Sequence, residues 1–311
     1  MRRLVVHQPT NHQSRRYRYY NYFWDLLCDE LSKRHEVITN RYSKNIHFER
    51  QTISLLGHDN STTDVLMMEC EMIIQDIDTL EIYVLSVSDD FSHASLGLQD
   101  NPNLKKVFIS QFDSQRVYSH LSNKENFSKY SPWIYFPSNI FDIERYYNLR
   151  KEKTLIDKFY FRGTSLEDRK IINHFDRTYF EGGLPIGGFD NYANDLINYK
   201  VALSIAGRGE FCYRDVENMG MGIPMIRFVY KNSMYPSLIP NYHYIAVNRP
   251  TDLDWDRMGN EEHAKMITNR FLEVKDDTNF LEFISNNARN YYNDYLSTHN
   301  NVRHTIKLLD L

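Results

Sequence analysis

The chain has 311 residues, 41% of them hydrophobic and 25% charged, with a formal net charge of −4. That is length for two domains, a composition that excludes disorder, and a balance that gives no overall field to gather nucleic acid or anionic lipid. Cys28, Cys70 and Cys212, odd in number and far apart, exclude a disulfide framework and a CxxC metal site and point to a reducing compartment. No apolar run reaches the roughly 18 residues of a membrane span, and Met1-Arg2-Arg3 leads only into Leu4-Val5-Val6, too short for a signal-peptide core. A cytoplasmic protein is expected, with no nucleic-acid partner and no membrane span.

Leu4-Val5-Val6-His7 reads as a short strand. A polar loop follows, with a local basic cluster of Arg15, Arg16 and Arg18 that either a phosphate or plain solvent would satisfy. The helix expected over 19–33 repeats Tyr19, Phe23, Leu26, Leu27 and Leu31 at spacings of three and four, which gives one apolar face. His35-Glu36-Val37-Ile38-Thr39 is the next strand and completes a β-α-β unit of the kind that opens a parallel sheet. Further strands are expected at 65–74, 80–87 and 106–109.

Between 131 and 150 the chain becomes aromatic and irregular, with Pro132 and Pro137, and the charged run Arg150-Lys151-Glu152-Lys153 follows. A junction there divides an N-terminal domain, 1–145, from a C-terminal domain, 146–311. The second half opens on a strand and glycine turn at 158–164, with a helix over 167–175. A buried strand over 199–205, a helix over 211–221 and a strand over 223–228 come next, then a mostly helical tail over 261–309. Strand, helix and strand again imply parallel pairing, so the expected fold is α/β, with two doubly wound Rossmann-like domains facing a cleft.

The segment from Ser204 to Ile226, SIAGRGEFCYRDVENMGMGIPMI, packs a strand, a glycine turn and a helix. Gly207 and Gly209 let backbone approach a ligand closely, and a helix starting near Phe211 aims free N–H groups and its positive end at an anion such as a diphosphate. Arg208 and Arg214 offer fork-shaped donors to phosphate oxygens. Glu217, three residues after Arg214, shares its helical face, where a carboxylate can accept both hydroxyls of a ribose. The plainer alternative is a surface helix carrying an ordinary Arg and Glu pair.

The stretch CYRDVENMGMGIPMI resembles the pattern of Arg, two residues, Glu, then Gly and Ile-Pro in exostosin-like and capsule-associated-protein-like glycosyltransferases. FYFRGTSLEDR resembles the strand and turn that open the donor-binding domain of the same group. The similarity spans about 70 residues, 159–228, and departs from the pattern at Asn218, Met219 and Met221. It implies a GT-B architecture and a nucleotide-sugar donor linked to UDP or GDP. It also implies Glu217 on the donor ribose, Arg214 and Arg162 on the diphosphate, and Gly163 allowing close backbone approach. By the same resemblance no metal or other cofactor is needed, because helix dipoles and basic side chains stabilise the leaving diphosphate. The acceptor would be a glycan or glycoprotein.

Transfer with inversion requires a base for the acceptor hydroxyl. Asp89 and Asp90, at the end of the strand expected at 80–87, are the leading candidates, with His93 the next; a strand-ending turn explains the same aspartates without chemistry. Two rival readings stand beside this one. In a metal-dependent GT-A transferase, Asp76 and Asp78, or Asp89 and Asp90, would hold a divalent ion, and a non-catalytic module would bind nucleotide or sugar between two lobes.

Overall fold

The structure is a computed structural model and describes residues 1–10, 15–43, 51–57, 62–67, 71–87, 96–135, 142–163, 167–183, 188–207 and 209–311. They form two compact units. The first comprises Met1–Pro137, Asn232–Pro236 and Thr298–Leu311; the second comprises Ser138–Lys231 and Ser237–Ser297.

The first unit opens with β1 (Arg3–Thr10), α1 (Arg15–Ser32) and β2 (Glu36–Ser43), and the two strands pair in parallel. The apolar face of α1 puts Phe23, Trp24, Leu27 and Leu31 into the core against Leu4 and Val6 of β1. β3 (Gln51–Leu56) and β4 (Thr62–Met67) form a separate two-stranded ribbon. β5 (Glu71–Asp76), β6 (Ile82–Ser86), β7 (Leu104–Ile109) and β8 (Tyr130–Pro132) complete a six-stranded sheet in the order β2-β1-β5-β6-β7-β8. The helix α2 (Ser114–His120) follows β7.

This sheet is mixed where the opening β-α-β unit suggests a parallel one, because β5 runs antiparallel to both its neighbours. The cause is local. Asp76 Oδ1 accepts the backbone N–H of Asp78 at 2.9 Å and of Thr79 at 3.1 Å, and Leu80 adopts φ 62. That tight turn returns the chain beside β5, which only an antiparallel neighbour allows. Asp78 is engaged by Arg3 (Nε to Oδ1 2.9 Å), so the two aspartates of the metal-dependent reading serve the hairpin. The single strand expected at 65–74 divides between β4 and β5.

The C-terminal helix, Thr298–Leu309, belongs to the first unit. Its apolar side, Val302, Ile306 and Leu309, joins the core of Phe23, Trp24 and Trp133. Two buried hydrogen bonds fix its register: Trp133 Nε1 donates to Thr305 Oγ1 at 3.1 Å, and Asn301 Nδ2 donates to the Ile134 carbonyl at 2.9 Å.

The second unit holds five parallel strands: β9 (Ile156–Arg162), β10 (Phe180–Gly183), β11 (Tyr199–Leu203), β12 (Met225–Phe228) and β13 (Ile245–Val247). Their order, β10-β9-β11-β12-β13, winds outward in both directions from the gap between β9 and β11, the arrangement of a doubly wound sheet. Its helices are α3 (Ile143–Lys151), α4 (Phe189–Leu196), α5 (Tyr213–Gly220), α6 (Asp252–Arg257), α7 (Asn260–Val274) and α8 (Thr278–Tyr291). The helix expected over 167–175 is a 3-10 turn, Glu167–His174.

Alternation along β9 sorts its side chains between the faces. Phe159 and Phe161 enter the core with Val201, Leu203, Ile226 and, from α7, Ile267 and Phe271. Tyr160 turns the other way and stacks on Tyr199, ring centroids 4.6 Å apart. Arg150 closes the end of α4 by donating to the carbonyls of Ile197, Tyr199 and Lys200, and burial lowers its pKa to about 10. Among the described residues no helix is long and apolar enough to cross a membrane.

Candidate functional site

In a doubly wound sheet, ligands bind beyond the carboxyl ends of the strands, where the winding reverses. Here that edge is built by the residues after β9, β11, β12 and β13. A cavity of about 440 Å³ opens along it, lined by Ser204 and Ala206 after β11, Arg227 and Phe228 of β12, and Arg249 after β13. Trp255 of α6 and Gly259, Asn260 and His263 at the start of α7 close its other side.

The floor is a web of charges. Arg227 Nη1 lies 3.1 Å from Asp215 Oδ1, and its Nη2 donates to the Glu210 carbonyl at 3.1 Å. Asp215 also receives the Ser204 hydroxyl, and its Oδ2 accepts the Cys212 N–H at 2.7 Å. Arg249 Nη1 donates to Glu210 Oε1 at 3.0 Å, while Glu210 Oε2 accepts the Lys231 N–H at 2.8 Å. Burial works against the charge on Arg227, but Tyr230, Asp215 and Glu210 outweigh it and hold its pKa above the ordinary value.

Above this web the wall is aromatic. The Arg249 guanidinium lies over the Trp255 ring at 4.3 Å, and the His263 ring stacks on the same indole at 3.8 Å. Burial lowers the His263 pKa, Glu262 opposes the shift and Arg249 adds to it. A planar cation, an indole and an imidazole in one wall offer flat surfaces to a ring of similar width.

A second feature lies at the point where the winding reverses. Arg169, on the 3-10 turn after β9, is buried with its guanidinium between two glycines. A side-chain carbon on Gly163 would come 3.2 Å from Arg169 Nη1, and one on Gly207 would come 3.2 Å from Nη2. Gly163 follows the last residue of β9 and Gly207 lies just past β11; at Gly163 the Phe161 ring, 2.7 Å from where that carbon would stand, is the tighter limit, and at Gly207 the guanidinium is the near neighbour. Gly207 N–H donates to the Gly209 carbonyl at 3.1 Å, which folds the turn back on itself.

The residues singled out from sequence distribute unevenly around these features. Gly163, Gly207 and Gly209 stand at the switch point. Arg162, at the end of β9, donates from Nη1 to Asp195 Oδ2 at 3.0 Å, the oxygen that also accepts the Tyr160 hydroxyl at 3.1 Å. Arg214 and Glu217 share a helical face as the spacing requires and form an ion pair of 2.7 Å, but their side chains are only 12% and 6% exposed and neither lines the cavity. Arg214 lies over the Tyr192 ring of α4 at 3.8 Å. Burial works against both charges, and Glu217 outweighs it on Arg214, whose pKa stays above its ordinary value. Arg208, Asp89, Asp90 and His93 lie outside the described residues.

The first turn of α5 already holds a carboxylate of its own chain, since Asp215 takes the N–H of the capping residue Cys212. Sequence reasoning passes over Arg169, Glu210, Arg227, Arg249, Trp255 and His263. One signal was present: Arg227 interrupts the apolar strand Met225–Phe228, and a charge in a buried parallel strand calls for a partner.

No protein-family model matches the chain, and no curated protein matches it. Among solved structures it is similar to a glycosyltransferase from Rickettsia africae, at 13% identity and a TM-score of 0.44 over 70% of this chain and 67% of that one. It is also similar to Anabaena Alr3699/HepE in complex with UDP-glucose, at 9% identity and a TM-score of 0.42 over 69% and 66%. A third is the pneumococcal O-GlcNAc transferase GtfA in complex with UDP and GlcNAc, at 12% identity and a TM-score of 0.32 over 84% and 69%. The chain thus spans about two thirds of the length of each. Likeness at this level carries no argument about the site, which stands on its own geometry.

Proposed function

We propose that the chain is a glycosyltransferase that holds a nucleotide-sugar donor in its second unit. The observation that carries this reading is the cavity at the carboxyl edge of β11, β12 and β13, walled by Trp255 and His263 and floored by Arg227, Arg249 and Glu210. An aromatic wall takes the face of a nucleobase, and the Glu210 carboxylate, which lines the cavity, accepts ribose hydroxyls. Arg214 and Glu217 do not line the cavity, whereas Glu210 does. We therefore assign them to seating α5 and give the ribose to Glu210.

The diphosphate goes to Arg169 and the turns at Gly163 and Gly207, with Arg162 and Arg208 as further donors to phosphate oxygens. An acceptor hydroxyl, its proton taken by Asp89, Asp90 or His93, attacks the anomeric carbon. The bond from that carbon to the phosphate oxygen breaks, its electron pair leaves with the diphosphate, and the anomeric configuration inverts. Guanidinium groups meet the developing charge, so the transfer is metal-independent. The acceptor is a glycan or glycoprotein, the donor base is uracil or guanine, and the setting is cytoplasmic, which suits the buried free thiol of Cys28.

The test is release of UDP or GDP from a panel of UDP- and GDP-sugars with glycan acceptors, run in excess chelator. Turnover that survives the chelator is the expected result. Turnover restored only by a divalent ion would overturn metal independence, and no turnover with any donor would overturn the transferase reading.

A further inference from the structure

Among the described residues, each positive feature that faces the cavity is met by a carboxylate of the chain itself. Arg227 faces Asp215 at 3.1 Å and Glu210 Oε2 at 3.8 Å, and Arg249 faces Glu210 Oε1 at 3.0 Å. Two guanidinium groups thus meet two carboxylates. The start of α7 opens onto the same cavity, and its positive end would ordinarily attract an anion. There Glu262 Oε2 accepts the N–H of the capping residue Gly259 at 2.9 Å, so that end also carries its own negative charge. Of these carboxylates, Glu210 is the one that lines the cavity, with a side chain 17% exposed.

We infer that Glu210 determines specificity in this site: it fills the anion position between Arg227 and Arg249, so that the cavity admits uncharged planar groups and turns away phosphate and other anions. The inference rests on the donor reading and refines it, because it assigns the uncharged nucleoside to the cavity and sends the diphosphate to Arg169. A free anion entering the cavity would lie beside a carboxylate in a partly desolvated space, where like charges repel far more strongly than in water. Replacing Glu210 by glutamine leaves Arg227 and Arg249 with a single carboxylate between them. The forked donors this releases match a small oxyanion or halide.

Trp255 reports on the cavity directly, because it lines it while Trp24 and Trp133 are fully buried. The experiment compares quenching of tryptophan emission by iodide, an anion, and by acrylamide, which is uncharged. Trp255→Phe in each background isolates the Trp255 signal. In the wild type, acrylamide should quench Trp255 and iodide should not. In E210Q the ratio of iodide to acrylamide quenching should rise severalfold, and Glu210→Asp, which keeps the charge, should behave as the wild type. An unchanged ratio in E210Q overturns the inference, and so does efficient iodide quenching of Trp255 in the wild type, which needs no variant to fold. Uridine and guanosine, added as neutral probes, should protect Trp255 from acrylamide. Absence of protection by either would count against the donor reading, while the iodide ratio would still decide the role of Glu210.

Discussion

Arg169→Ala should lower turnover by about a hundred- to a thousandfold, the range found when one preorganised donor to a developing negative charge is removed. The guanidinium lies between Gly163 and Gly207, where the sheet reverses its winding. Because Arg169 is buried, the substitution also removes packing, and turnover alone would not separate binding from folding. The separating measurement is calorimetry with uridine and with UDP. If Arg169 holds phosphate, UDP affinity falls and uridine affinity stays, because the nucleoside sits in the cavity. Arg169→Lys should recover little, since a point charge does not reproduce a fork. Equal losses for uridine and UDP would make Arg169 a structural residue.

The second large effect concerns the base. Asn substitution at one of Asp89 and Asp90 should lower turnover by about a hundredfold or more while leaving donor affinity near the wild-type value, the signature of a group that acts in the transition state, and at the other should cost little. The two single variants are compared because one base suffices for one acceptor proton. The segment follows β6, whose last residue, Ser86, is buried at the carboxyl end of the first sheet. Near-normal rates in both single variants, with donor and acceptor saturating, would move the role to His93.

Much of the fold was legible because local rules decided it. The three- and four-residue spacing of Phe23, Leu27 and Leu31 marked the buried face of α1, and the apolar run at Val201-Ala202-Leu203 marked a central parallel strand. What escaped was settled by contacts remote in sequence. The antiparallel course of β5 depends on a turn at Asp76 that reads equally well as an acidic pair. The register of the C-terminal helix depends on Trp133 meeting Thr305, far along the chain.

The site divides in the same way. Helical spacing correctly put Arg214 and Glu217 side by side, but which way that face turns is set by the packing of Tyr192 against Arg214, and it turns inward. Cavity residues come from the 3-10 turn after β9, from the ends of three strands and from α6 and α7, spread over 171–267. No window of sequence contains them together. Only the order of the sheet brings Glu210 to Arg249, and only the start of α7 brings His263 to Trp255.

The most direct measurement of the central claim is the affinity of UDP and GDP for the wild type and for Trp255→Ala, read by calorimetry beside the melting temperature of each free protein. Stacking of a base on an aromatic side chain is worth about 1–3 kcal/mol. Trp255→Ala should therefore weaken the nucleotide that binds by about ten- to a hundredfold at a temperature where the variant, which loses the indole's contacts with Arg249 and His263, is still folded. A nucleotide that binds Trp255→Ala as tightly as the wild type would show that the donor lies elsewhere and contradict the account.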